Sequence, residues 1–171
     1  MILRPASPDD VAALAALGRT SFCAAFEDLY QPDDLAVFLE QAYSEPAVEA
    51  EIAAPEYIHR LAEDAGGLIG YCKLRYPSAY AGYSDAKNPI ALGQLYTAPG
   101  RTGSGIGAAL MDWALAEARE RGCDAIQLSV YSENFGGQRF YHRYGFSKIA
   151  DIGFWVGKQR DAEFLYELRL D

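Results

Sequence analysis

An α/β fold built on a sheet of mixed strand direction is predicted from three observations. Apolar residues recur at helical spacing near the N-terminus and alternate at strand spacing through the middle. Past mid-chain, a glycine-rich turn joins a strand to a helix. Together they give the order β-αα(α)-βββ-α-β-α-ββ, an α/β sheet flanked by helices. A length of 171 residues with 50% hydrophobic content suits a single domain, 1–171, with a substantial core.

Residues 2–4 read as a short strand. Pro8, Asp9 and Asp10 then open a helix, with a proline and carboxylates where a first turn favours them. Val11, Leu14, Ala15, Leu17, Gly18 and Phe22 carry its apolar stripe. Gln31-Pro32-Asp33-Asp34 starts a second helix, in which Leu35, Phe38, Leu39 and Tyr43 share one face. Residues 46–54 form a third short helix, ended by Pro55. Residues 57–63 and 68–76 alternate around Ala65-Gly66-Gly67, a hairpin signal. Residues 77–89 are loop by composition. Residues 92–97 and 125–132 are strands, each followed by a turn and a helix. Residues 146–155 and 163–170 close the chain as an antiparallel pair.

The turn is the segment with chemistry in it. Gly103, Gly105 and Gly107 leave little side chain between the backbone and an approaching ligand. The helix behind them offers amides without intrahelical partners and the positive end of its dipole, a natural phosphate site. A nucleoside-triphosphate loop needs Gly-Lys-Ser/Thr here, and no lysine lies between Lys87 and Lys148. Gly103-x-Gly105-x-x-Ala108 matches a dinucleotide fingerprint, but that motif belongs at the first strand of a βαβ series. A structural helix cap is the remaining plain reading.

A second segment decides between them. Asn134-x-x-Gly137-x-x-Phe140-Tyr141, ending in Gly145-Phe146, follows the turn at one strand's distance. The two segments together resemble the GNAT superfamily of acyl-CoA-dependent N-acyltransferases, whose pyrophosphate loop reads Q/R-x-x-G-x-G/A and whose second motif reads N-x-x-A-x-x-F-Y…G-F. Two positions depart from the pattern: Thr102 replaces Gln/Arg, and Gly137 replaces Ala. Arg101, one place early, is a candidate for the missing charge. The resemblance implies a mostly antiparallel mixed sheet and acetyl-CoA as co-substrate. It also implies a primary amine as acceptor and, in many members, a homodimer.

The resemblance assigns roles residue by residue. Thr102, Gly103, Ser104, Gly105, Ile106, Gly107 and Ala108 would hold the pyrophosphate. The preceding strand would part from its neighbour so that Leu95, Tyr96 and Thr97 bond the pantetheine arm; plain sheet pairing is the alternative. Asn134 would contact that arm, or cap the helix after it. Gly137 would admit the cofactor closely, or merely loosen the turn. Tyr141 would protonate the departing sulfur, or pack as an aromatic core residue. Many relatives carry a glutamate on the strand before the turn, where this chain has Gln94, so no general base is assigned.

Residues 20–44 look like the helix pair of spermidine/spermine N-acetyltransferase-like members, with Glu27 and Asp28 placed to meet a polyamine. Protein N-termini, lysine, amino acids and antibiotic amines are rival acceptors, and a non-catalytic acyl-CoA sensor is the rival class. A formal net charge of −9 argues against nucleic acid. No run of about 18 apolar residues would span a membrane, and MILRPASPDD is too polar for a signal peptide. Cys23, Cys72 and Cys123 lack metal-ligand spacing, and no metal is expected. A reducing cytoplasmic setting suits them.

Overall fold

A computed structural model describes residues 1–171. Its frame is one seven-stranded sheet, ordered β1-β2-β3-β4-β5-β7-β6. The strands are β1 (Ile2–Pro5), β2 (Tyr57–Asp64), β3 (Gly67–Arg75), β4 (Pro89–Thr97), β5 (Ala125–Tyr131), β6 (Ser147–Val156) and β7 (Gln159–Arg169). The helices are α1 (Val11–Phe26), α2 (Pro32–Tyr43), α3 (Glu45–Ala53), α4 (Ile106–Glu120) and α5 (Phe135–Arg143). Every neighbouring pair of strands is antiparallel except β4–β5, which is parallel. The predicted element order is therefore met, and no helix is long and apolar enough to cross a membrane.

Alternation along β2 and β3 sends successive residues to opposite faces. Leu61 and Tyr71 meet Leu14, Ala15 and Leu17 of α1 and Val48 of α3. Ala62, Cys72 and Leu74 face the other way, onto Leu110, Met111, Ala114 and Ala118 of α4. Those four α4 residues are fully buried, at the i, i+1, i+4, i+8 spacing of one helix face. A third cluster joins Phe22 of α1, Leu39 and Tyr43 of α2, and Val156 at the end of β6.

Boundaries differ from the sequence reading in two informative places. Helix α1 is preceded by a 3-10 turn, Pro8–Asp10, whose Asp10 carboxylate accepts from both Arg4 guanidinium nitrogens at 2.9 and 2.8 Å. Strand β7 begins at Gln159, four residues earlier than predicted, because a two-residue turn at Gly157 and Lys158 closes the β6–β7 hairpin. Gly157 adopts φ +57, and the Lys158 N–H donates to Asp34 of α2 at 2.8 Å. Polar residues that read as loop thus enter the sheet, and they bring Asp161 with them.

Gly70 of β3 sets how closely α4 lies on the sheet. A Cβ built there would stand 2.7 Å from Ile106 Cγ2 and 2.9 Å from the Tyr96 carbonyl oxygen. Gly70→Ala should therefore overpack the start of α4 and cost about 1–3 kcal/mol. For a chain of this size that lowers Tm by roughly 3–10 °C. A Tm within 1 °C of wild type by circular dichroism, an interval of about 0.3–0.5 kcal/mol, would show that α4 is free to shift.

Candidate active site

Strands β4 and β5 pair at three positions only, Pro89 with Ala125, Ile90 with Ile126 and Ala91 with Gln127. Beyond Ala91, β4 stays bonded to β3 through Thr97, and β5 stays bonded to β7 through Tyr131. The strands part, and their facing backbones are left open. A bulge marks the point of departure: Lys73 pairs with Gln94 and Leu74 with Leu92, so Gly93 is the extra residue. A bulge bends its strand and raises its twist. Two cavities meet at the opening, and both are lined by Phe26, Leu95, Tyr96, Asn134 and Tyr141.

The first is a groove of about 690 Å³ running past Thr97, Thr102, Gly103, Gly105, Gly107, Ala108 and Gly137. Gly103 and Gly105 have φ +80 and +84, a region L side chains avoid. Gly105 caps α4, and the first helical bond runs from Ala109 N–H to the Gly105 carbonyl at 3.0 Å. The amides of Ile106, Gly107 and Ala108 therefore have no acceptor within the helix. Ser104 donates its hydroxyl proton to the Arg101 carbonyl and does not line the groove. Gly107 has room for a Cβ, 3.8 Å from Phe140. Arg101 is turned away, paired with Asp64 at 2.7 Å. The cation that does line the groove is Arg143, at the end of α5 and 5.7 Å from the Phe140 ring centre.

Asn134 caps α5, its Oδ1 accepting the Gly137 N–H at 3.0 Å, while it also lines both cavities. A Cβ at Gly137 would lie 2.7 Å from Asn134 Nδ2. The asparagine amide thus occupies the space that an alanine there would need. Tyr141 packs against Phe140 and Phe146, with ring centres 5.4 and 5.8 Å away. Its hydroxyl makes no hydrogen bond within the protein. Burial pushes this phenol above its usual range, so it is protonated at neutral pH.

The second cavity, about 340 Å³, has aromatic walls that include Phe22, Tyr30, Phe38, Tyr43 and Phe154. Gln94 is fastened in it: its Oε1 accepts from Tyr71 at 3.0 Å and its Nε2 donates to Tyr43 at 3.2 Å. Lys73 also faces this cavity, with its ammonium held by both Glu51 oxygens at 3.0 and 2.9 Å. Glu163 of β7 lines it too, and its Oε2 is closed off from solvent with no hydrogen-bond partner. Desolvation, with help from the Asp161 carboxylate, pushes Glu163 up to about 7.

Most of the residues singled out in the sequence converge here, but Glu27 and Asp28 do not. Both are exposed on the 3-10 turn Glu27–Leu29 and line neither cavity. Glu163 and Arg143 were not singled out. A signal for Glu163 existed: it shares the period-2 face of β7 with Leu165, which is fully buried. Arg143 had none, since a basic residue in a last helical turn is ordinary.

Comparison with known proteins agrees with this geometry. A protein from Lactobacillus delbrueckii subsp. lactis, described as an uncharacterised N-acetyltransferase, is 27% identical over 164 residues, 96% of this chain and 94% of that protein. The PaiA N-acetyltransferase of Thermoplasma acidophilum, solved with coenzyme A, superposes with a TM-score of 0.81 at 22% identity, covering 99% and 98% of the two chains. The yncA protein of Salmonella typhimurium, solved with acetyl-CoA, gives 0.68 at 20% identity, covering 100% and 94%. The acetyltransferase (GNAT) family model matches residues 23–146. With that match spanning most of the chain and both motifs lining one opening in the sheet, the chain belongs to the GNAT family of N-acetyltransferases.

Proposed function

We propose that residues 1–171 act as one catalytic domain that transfers an acetyl group from acetyl-CoA to a primary amine by direct attack in a ternary complex. The observation that carries this reading is the parting of β4 and β5, which joins the groove and the aromatic cavity at Tyr141. The groove fits the donor on its own terms. It has left-handed glycines without Cβ atoms at the loop, three unpartnered amides at the start of α4, and Arg143 for a phosphate charge. The open edge of β4 at Leu95, Tyr96 and Thr97 suits the amides of a pantetheine arm, bound as a strand would be.

Roles follow from position. The loop amides hold the pyrophosphate, and the open strand orients the thioester. Tyr141 donates a proton to the departing sulfur. Asn134 keeps α5 capped and offers its Nδ2 to the arm. Gln94 cannot accept the amine's proton, both because it is an amide and because two tyrosines hold it. A polyamine acceptor met by Glu27 and Asp28 draws no support from their exposed positions.

Gly105→Val should force the loop out of its left-handed turn and weaken acetyl-CoA binding at least ~10-fold, about 1.4 kcal/mol. Unchanged affinity by calorimetry in a folded variant would remove the pyrophosphate from this loop. Tyr141→Phe keeps the ring and deletes the hydroxyl, so kcat should fall by about 10²–10⁴ with KM for acetyl-CoA nearly unchanged. Because burial raises the phenol, the wild-type rate should not decline through pH ~10, where an ordinary tyrosine ionises. A variant keeping more than about half of wild-type kcat, a loss of at most ~0.4 kcal/mol, would return Tyr141 to a packing role.

A further inference from the structure

Two charged side chains face the aromatic cavity, and they differ in one respect. Lys73 is already paired with Glu51, whereas neither Glu163 oxygen is hydrogen-bonded: Oε2 is sealed from water, which leaves Oε1 to face the cavity. Its neighbour Asp161 is satisfied by the Tyr30 hydroxyl and by Gln159 Nε2 at 2.9 Å. A buried carboxylate oxygen without a donor is costly unless something supplies one. The walls around it are aromatic rings, whose π faces attract a cation placed over them.

We propose that Glu163 receives the acceptor nitrogen, holding a primary ammonium in the aromatic cavity and taking its proton, and that the acceptor is a monoamine on an apolar, aromatic-sized body. The proposal rests on the acetyl-transfer reading above and supplies the base that Gln94 cannot be. A second ammonium would find no second free carboxylate in the cavity, since Lys73 and Glu51 neutralise each other and Glu27 and Asp28 lie outside. The volume of about 340 Å³ suits a small body at the low end of ligand pockets.

The protons balance. Glu163 carboxylate takes one proton from the ammonium, leaving a neutral amine and a neutral carboxyl. The nitrogen lone pair forms the new C–N bond at the thioester carbonyl, and the C–S bond breaks with its pair on sulfur. Tyr141 protonates that sulfur and is restored by the second proton leaving the nitrogen. Glu163 then releases its proton to solvent, one per turnover.

The groups facing Glu163 set when it can do this. Asp161 lies on its own strand, Tyr131 is its register partner on β5, and Ile152 opposes it on β6. Tyr30, Tyr43 from α2, Tyr96 from β4, Tyr141 from α5 and the paired Lys73 from β3 complete the titratable surroundings. Phenols are neutral at working pH, so burial and Asp161 prevail and hold the carboxyl up to about 7. The folded state therefore keeps a proton that the unfolded chain loses near ~4.3. The stability from that difference is complete at low pH and is lost as pH rises through about 7.

The test uses the full chain, acetyl-CoA, and thiol release with phenethylamine, tyramine and spermidine. Wild type should favour the aromatic monoamines over spermidine by at least ~10-fold in kcat/KM, about 1.4 kcal/mol, with a rising limb near pH 7. Glu163→Gln should lower kcat by about 10²–10⁴, abolish that limb and leave acetyl-CoA affinity unchanged. Glu163→Asp, which keeps a retracted carboxylate, should keep the limb. Independently of turnover, the Tm of Glu163→Gln should rise relative to wild type between pH 5 and pH 8. A Gln variant within twofold of wild type on the same amine, or a limb that survives it, overturns the role of Glu163. Spermidine preferred ~10-fold overturns the acceptor class. Wild type that binds no acetyl-CoA by calorimetry overturns the parent reading, and this one with it.

Discussion

The parting of β4 from β5 leaves two runs of backbone without the partners that a sheet normally supplies. Backbone that loses its sheet partner must face solvent or a ligand, so an opening several residues long keeps its shape only if other contacts hold it. Here the contacts are on both sides. Strand β4 remains bonded to β3 through Thr97, and β5 remains bonded to β7 through Tyr131. Helix α4 packs on the sheet directly behind the opening, with Ile106 pressed against Gly70 and its own Leu110 and Met111 fully buried. The open edge of β4, half-exposed from Gln94 to Thr97, is thus held in a stiff surround, and a ligand with amides to offer could pair with it.

The far wall of the site depends on a second set of contacts, between the β6–β7 hairpin and the helices before β2. Asp34 of α2 takes the Lys158 N–H, Tyr30 donates to Asp161, and Phe38 meets Phe154 with ring centres 5.6 Å apart. Val156 is fully buried among Phe22, Leu39 and Tyr43. These contacts make an edge hairpin one wall of the aromatic cavity, and they bring Phe154 and Glu163 into that wall. Asp161, held in place by the Tyr30 hydrogen bond, adds its charge to the desolvation that raises the Glu163 carboxyl.

Local signals carried the element order because capping, helical stripes and strand alternation are written in neighbouring residues. Pro32, for example, stands at the first position of α2 with Asp33 and Asp34 in its first turn, the start that the sequence spells out. The loop glycines were legible for the same reason: left-handed φ at Gly103 and Gly105 is a local demand. What could not be read was any property set across the sheet. Glu27 and Asp28 looked like acceptor contacts because they join two helices, yet the turn that holds them faces solvent. Arg101 looked like the missing loop cation, yet Asp64, 37 residues earlier, holds it. Glu163 stood on a strand with nothing nearby in sequence to show that Tyr131 and Tyr30 would wall it in.

Burial also bears on an awkward point in the proposed proton transfer from Tyr141. A phenol at ~10 is a weaker acid than a thiol at ~8.5, so donation to a fresh thiolate runs uphill in water. Burial raises the phenol further, which by itself worsens the mismatch. The same low-dielectric surround acts on the sulfur, however, because a desolvated thiolate is disfavoured just as a desolvated phenolate is. Two acids in one cavity move together, so desolvation of the thiolate offsets the rise of the phenol. The carboxyl of Glu163 moves in the same direction from a lower starting point and stops near neutrality. One physical cause, exclusion of water by aromatic walls, thus favours a phenol that stays protonated and a carboxylate basic enough to accept a proton.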